Sequence, residues 1–321
     1  MALVLFDPGT IVALQHLSPL LTDLLAAGKD LDSLPVYLVV LVLFYLGFSP
    51  KHGIRLAVVF GIAGGVDEAL KLFFHLPRPY WVSSAVKAYY SLPSFGFPSG
   101  GAMCSTVLYG YIAAVVRRFW VVVACIVLAA LTMLARIFAG VHFVTDVVGG
   151  FLLGALFLVL AFTVSPRIEA FGARLRPPAR ILGILLLSAL PLIIALPAYC
   201  SLAGWQVPAD WVATALAQTG ATISPVQIPG AWEASGFVLG GLLGYEYLRS
   251  LGGWEPPERI LPRIAVALSG VVSTLLLFML AIAVLTLPAI PQAAALFVSA
   301  VLTGLWFTAC VPLAARRWIH R

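Results

Sequence analysis

Not one of the 321 residues is asparagine, so the chain holds no N-glycosylation sequon. Charge is scarce too: Asp, Glu, Lys and Arg supply 10% of residues against 62% hydrophobic, and the mean hydropathy is +1.05. A soluble globular domain is excluded by that balance. Cysteine occurs four times, as Cys104, Cys125, Cys200 and Cys310, with neither disulfide nor metal-ligand spacing. These read as small packing residues with no redox role. Neither histidines nor carboxylates cluster with ligand spacing, so no metal and no cofactor is expected, and activity should survive chelators.

What is present is apolar sequence in long runs. A span needs about 20 such residues, and candidate stretches lie near 34–49, 54–76, 100–116, 119–136, 144–165, 181–200, 235–249, 262–287 and 292–315. Backbone groups in hydrocarbon must be paired within the segment, and continuous runs do not alternate as barrel strands do. The expected class is therefore all-α, a polytopic membrane bundle of about nine transmembrane helices. Residues 10–28 are apolar but carry Gln15, His16 and Asp23, and read as a helix lying on the membrane surface.

The net charge of +6 invites a nucleic-acid reading, but the basic residues fall on alternate loops. Lys51 and Arg55, Arg117 and Arg118, Arg167 to Arg180, Arg249 to Arg263 and Arg316 to Arg321 share one side, as the positive-inside rule requires. No nucleic-acid partner is expected. Lys29, Lys71, Arg78, Lys87 and Arg136 remain for the outer side. The N-terminus is then outside, with nothing resembling a cleavable signal ahead of the first span. The lack of Asn and the preference for Arg over Lys lean towards a bacterial or archaeal membrane.

Three parts are expected: an outer-surface segment 1–33, a core 34–165, and a four-helix membrane extension 166–321 opened by the Arg-rich, Pro-containing loop 166–180. Gly236, Gly240 and Gly244 recur at every fourth position, as do Gly150 and Gly154, which allows close helix approach. Packing within the monomer is the expected use, with a homodimer face as the alternative. The outer loops 77–99 and 201–234 are aromatic, with Tyr80, Trp81, Tyr89, Tyr90, Phe95 and Phe97 in one and Trp205, Trp211 and Trp232 in the other. They read as interfacial anchors or as a lid.

Ionisable residues beside a bilayer are functional candidates, and here they gather at the outer ends of successive helices. Lys71 and Arg78 close the second span, Ser99, Gly100 and Gly101 open the third, Arg136 ends the fourth, and His142 and Asp146 lead into the fifth. Two arginines and a lysine meeting a Ser-Gly helix start make an anion trap suited to phosphate. A histidine four residues before a carboxylate is a candidate nucleophile or base whose tautomer the carboxylate fixes. Asp67 and Glu68 precede Lys71 by four and three residues, so either is expected to neutralise it, with a proton path as the alternative. His16, His52 and His320 read as loop or interface residues.

At these positions the sequence resembles the type 2 phosphatidic acid phosphatase superfamily, whose motifs read K-x6-RP, PSGH and SR-x5-H-x3-D. Lys71, Arg78 and Pro79 satisfy the first, and Arg136, His142 and Asp146 the third, with Ala135 where serine is usual. Arg78-Pro79-Tyr80-Trp81 and the nine-span layout are also similar to the glucose-6-phosphatase branch. The resemblance implies that Lys71, Arg78, Ser99, Gly100 and Arg136 hold phosphate, that His142 attacks phosphorus, that Asp146 orients His142, and that a phosphohistidine is then hydrolysed. It departs in the second motif, where Gly101 replaces the histidine assigned to protonate the leaving group.

General acid catalysis contributes roughly 10²–10⁴-fold, so turnover is expected to be impaired, least for diphosphates. Gly101 reads as an inactivating substitution, as the mark of an inactive member, or as a member with another donor, for which His75 is a candidate. Gly101→His is expected to raise activity at least about tenfold. Three functions stay open: a lipid phosphate or diphosphate phosphatase, a sugar-phosphate phosphatase, and a non-catalytic lipid-phosphate binder or transporter.

Overall fold

Proline opens six of the helices, at the first position where its missing N–H leaves no hydrogen bond unmade. The computed structural model describes residues 6–285 and 291–319, and among the described residues every regular element is helical. In chain order these are α1 Pro8–Leu17, α2 Pro19–Ala27, a 3-10 turn Gly28–Asp32, α3 Leu34–Gly47, α4 Pro50–Phe74, α5 Pro79–Val82, α6 Gly100–Val116, α7 Phe119–Phe138 and α8 Val144–Thr163. They continue as α9 Ser165–Arg174, α10 Pro177–Ser201, α11 Ala209–Thr219, α12 Pro229–Ser250, α13 Ile260–Leu285 and α14 Gln292–Leu305, which passes through a π turn into α15 Val311–Ile319. His320, Arg321, the end of the expected span 262–287 and the side chain of Lys29 lie outside the described residues.

The all-α membrane class holds, but the count of nine does not follow from the helices seen. Among the described residues five segments are long and apolar enough to cross: Phe119–Phe138, Val144–Arg174, Pro177–Ser201, Ile260–Ala283 and Gln292–Trp318. The 14 residues of α3 reach only about 21 Å at 1.5 Å per residue, short of a ~30 Å hydrocarbon core. Helix α6 is apolar but also short. Helix α4 is long, yet Lys51, Arg55, Asp67, Glu68 and Lys71 dilute it, and Glu233, Glu246 and Arg249 do the same to α12. Large apolar side chains such as Ile126, Leu152, Leu182, Leu268 and Leu276 are exposed along the crossing helices, as a lipid solvent allows.

Residues expected as one surface helix form α1 and α2, which meet at 109° where Ser18 leaves helical geometry and caps α2. Together they are apolar enough to count as a sixth, broken span. The loop 166–180 is largely the helix α9, and Trp232 belongs to α12 rather than to an outer loop.

Two compact units are distinguished, and their boundaries fall inside α4, α8 and α10. The first comprises the described residues up to Ser33, Val66–Leu158 and Ile194–Ile228. Its core joins Ile11, Leu72, Tyr80, Trp81, Phe95, Val141, Phe143 and Leu202. Gln15 ties α1 down, donating to the carbonyls of Lys87 and Phe138 at 2.9 and 2.8 Å while accepting from Lys87 N at 3.1 Å. Helix α8 lies tight on α6, because a Cβ on Gly154 would stand 2.7 Å from Thr106 Cβ and one on Gly150 would overlap the Ser99 carbonyl.

The second unit comprises Leu34–Gly65, Val159–Ile193 and the described residues from Pro229 on. There Gly236, Gly240 and Gly244 bring α12 onto α14 and the turn after it, where added Cβ atoms would overlap the carbonyls of Phe297 and Val301 and the Thr308 hydroxyl. Both glycine series are thus used inside the chain. Arg55 binds Glu169 through two bonds of 2.6 and 2.7 Å, and Glu246 accepts from Arg180 at 2.6 Å and Arg249 at 3.0 Å.

Candidate active site

Every residue proposed from the sequence for phosphate chemistry lies in the first unit, around the amino end of α6. Ser99 caps that helix, its backbone N–H donates to the carbonyl of Asp146 at 2.9 Å, and its side chain is fully buried. The cap and the Ser99–Asp146 backbone bond set the start of α6 against the start of α8.

Histidine 142 is delivered by a tight turn. Helix α7 stops at Phe138, Gly140 takes φ of +72°, and α8 starts at Val144; the left-handed step suits a residue without a Cβ. Asp146, in the first turn of α8, reaches back to accept from Phe143 N at 2.9 Å and lies 3.3 Å from His142 Nδ1. This assigns the ring proton to Nδ1 and leaves the lone pair on Nε2, where Arg78 Nη1 donates at 3.1 Å.

All the donor nitrogens of Arg78 are in use. Nε donates to Ser94 O at 2.6 Å, Nη2 to Ser94 Oγ at 3.1 Å and Phe95 O at 3.0 Å, and Nη1 to Val141 O at 2.9 Å as well as to His142. The guanidinium is 1% exposed and stitches the loop 77–99 to the turn carrying His142. Burial, then the charges of Arg78, Arg136 and Lys71, hold His142 well below the usual imidazole range.

Lys71 and Arg136 flank the helix start, each with a carboxylate. Asp67 pairs with Lys71 one turn back along α4, as the spacing predicts, and Asp32 pairs with Arg136. The two glycines lie directly beneath these pairs. A Cβ on Gly100 would stand 3.0 Å from Asp67 Cγ and 3.1 Å from Lys71 Nζ. One on Gly101 would overlap the Asp32 carboxylate and approach Arg136 Nε to 2.8 Å. Arg136 Nε, Asp67 Oδ1 and Asp146 Oδ1 are buried without hydrogen-bond partners among the described residues. Unpaired groups of this kind mark a place prepared for further polar atoms.

Asp32 escaped the sequence reading, because it lies far from the motifs, in the outer-surface segment 1–33. His75, the other donor considered, is exposed and stands beside the rings of Phe95 and Trp205, with centroids 6.2 and 6.3 Å away. The atoms nearest to a side chain at 101 belong to Asp32 and Arg136, not to His75. A Gly101→His side chain would have to displace the Asp32 carboxylate, which stands where its first carbon would lie. The aromatic loops pack on one another, Trp211 lying 6.0 Å from Trp81 and Trp205 5.5 Å from Phe95, with Gln218 Nε2 donating to Ser84 O at 2.8 Å.

A buried imidazole held by a carboxylate, with two arginines and a lysine at a helix start, is the equipment of phosphoryl transfer. Residues 52–170 match the PAP2 superfamily, and the long apolar helices mark an integral membrane protein. A particular relative is phosphatidylglycerophosphatase B of Bacillus subtilis (strain 168), 27% identical over 164 residues that cover 48% of this chain and 78% of that protein. The crystal structure of the transmembrane PAP2 type phosphatidylglycerolphosphate phosphatase from Bacillus subtilis is similar at 25% identity and a TM-score of 0.42, over 53% of this chain and 87% of that one.

Proposed function

We propose that the protein hydrolyses the phosphate of a membrane lipid monoester or diphosphate through a phosphohistidine on His142. The observation that carries this is the His142 ring itself, with Nδ1 committed to Asp146 and the Nε2 lone pair turned towards the Arg78 guanidinium. Phosphate oxygens held by Lys71, Arg136, the Ser99 hydroxyl and the Gly100 amide, and by Arg78 once Nη1 gives up its bond to His142, would bring phosphorus to that lone pair. Asp146 would stabilise the ring as it becomes positive, and the cations would spread the charge of five-coordinate phosphorus.

A lipid is the favoured substrate class because the domain sits in a membrane protein and its relative acts on phosphatidylglycerophosphate by name. The basic loops argue for an extracytoplasmic site. Gly101 brings no proton donor of its own, so through that position alone transfer from an ester would be slower by about 10²–10⁴-fold.

The test is release of inorganic phosphate by the purified chain from detergent-dispersed phosphatidylglycerophosphate and phosphatidic acid, compared with hexose phosphates, and again with His142→Ala. Release from the lipids that His142→Ala abolishes is expected; preferential release from hexose phosphates would transfer the reading to sugar phosphates. The second reading, a lipid-phosphate binder without turnover, is favoured by one observation: Lys71 and Arg136 already hold carboxylates. Saturable lipid-phosphate binding with no phosphate released would establish it.

A further inference from the structure

Three cations stand in this site, and three carboxylates stand with them: Asp67 on Lys71, Asp146 on His142 and Asp32 on Arg136. The first two lie within the sequence motifs or one turn from them. Asp32 does not. It ends the 3-10 turn after α2, which packs on α7, and its side chain is 4% exposed. Its carboxylate lies where the first carbon of a side chain on residue 101 would stand. Gly101 and Asp32 therefore share one space: a side chain at 101 would have to push this carboxylate aside, and the carboxylate fills what the glycine leaves open.

Resting on the reading of His142 as nucleophile, we propose that Asp32 is the catalytic acid that protonates the leaving oxygen. In the ligand-free site Arg136 keeps Asp32 ionised. A bound phosphate draws Arg136 to its own oxygens and sets a second anion against the carboxylate. Burial and like charge both favour the carboxyl form, so Asp32 takes up a proton as substrate binds.

In the first step the Nε2 lone pair of His142 forms the bond to phosphorus, the ester P–O bond breaks, and the Asp32 proton passes to the departing alkoxide. In the second, the Asp32 carboxylate takes a proton from water as that water's oxygen bonds to phosphorus. The P–N bond breaks, its electron pair returns to Nε2, and Asp32 is again protonated. Ester and water become alcohol and phosphate, with no other reactant.

The test is Asp32→Asn, a near-isosteric change, in the full chain. Phosphatidic acid, whose alkoxide needs a proton, is compared with p-nitrophenyl phosphate, whose phenolate does not. We expect kcat/KM to fall by about 10²-fold or more on the lipid and by less than about tenfold on the aryl ester. Adding Gly101→His to Asp32→Ala, which empties the carboxylate's space, should recover at least about tenfold on the lipid over Asp32→Ala alone, because an imidazole donor then stands where the carboxyl stood. Equal losses on both esters would make Asp32 only a partner of Arg136, and an unchanged lipid rate would remove it from the chemistry; either overturns the proposal while leaving a His142-dependent phosphatase intact. A wild-type chain inert towards both esters overturns the phosphatase reading and this inference with it. Thermal unfolding of Asp32→Asn separates a folding defect from a chemical one, and a folded variant with the selective loss on the lipid is the supporting outcome.

Discussion

Replacing Arg78 by lysine keeps the charge and removes the fork, which isolates what the guanidinium geometry does. Five acceptors meet Arg78: Ser94 O, Ser94 Oγ, Phe95 O, Val141 O and His142 Nε2, at 2.6 to 3.1 Å. An ammonium has three N–H donors, so at least two of these acceptors lose their partner. Each buried orphan costs about 1–3 kcal/mol, giving a destabilisation of about 2–6 kcal/mol. At roughly 2–4 °C per kcal/mol the unfolding midpoint should drop by at least about 4 °C. The assay is thermal unfolding of the purified protein in detergent, followed by phosphate release from the folded fraction well below the midpoint. That fraction should also turn over more slowly, because the turn that presents Nε2 loses its anchor. An Arg78→Lys protein with wild-type midpoint and wild-type rate would refute the claim that this arginine organises the site.

Protonated His142 has no lone pair to offer, and its surroundings depress its proton affinity. The neutral ring therefore persists to lower pH than usual, and kcat/KM on p-nitrophenyl phosphate should hold from neutral pH past about 6.5. An acid-side decline centred at 6.5 or above would contradict this. Gly240→Leu would drive a side chain into the Val301 carbonyl and should lower thermal stability by about 1–3 kcal/mol or more; an unchanged midpoint would deny the close approach of α12 and α14.

The parts of the site readable in the sequence are those whose geometry is local. Asp146 meets His142 because four residues make one helical turn, and Asp67 meets Lys71 for the same reason. Arg78 could be assigned a charge but not its acceptors, since Ser94 and Phe95 lie further along its own loop and Val141 in the turn before α8. Asp32 was invisible for a stronger reason: it reaches Arg136 across about a hundred residues, and α1 and α2 advertise only apolar character. Gly101 was read as a missing histidine, with nothing in the sequence to signal that Asp32 and Arg136 lie beside it. Hydropathy found the five crossing helices, whose sequences are uniformly apolar. The other four stretches, α3 and α6 being short and α4 and α12 interrupted by charges, do not qualify by length and composition, so their crossing does not follow from the helices seen.

The central claim is that His142 itself carries the phosphoryl group. It is tested most directly by mixing the protein with ³²P-phosphatidic acid, stopping the reaction in alkali, and mapping the label. The account predicts an acid-labile, alkali-stable phosphoryl group on the peptide containing His142, lost in His142→Ala. Turnover with no label at His142, or label on another residue, would contradict it.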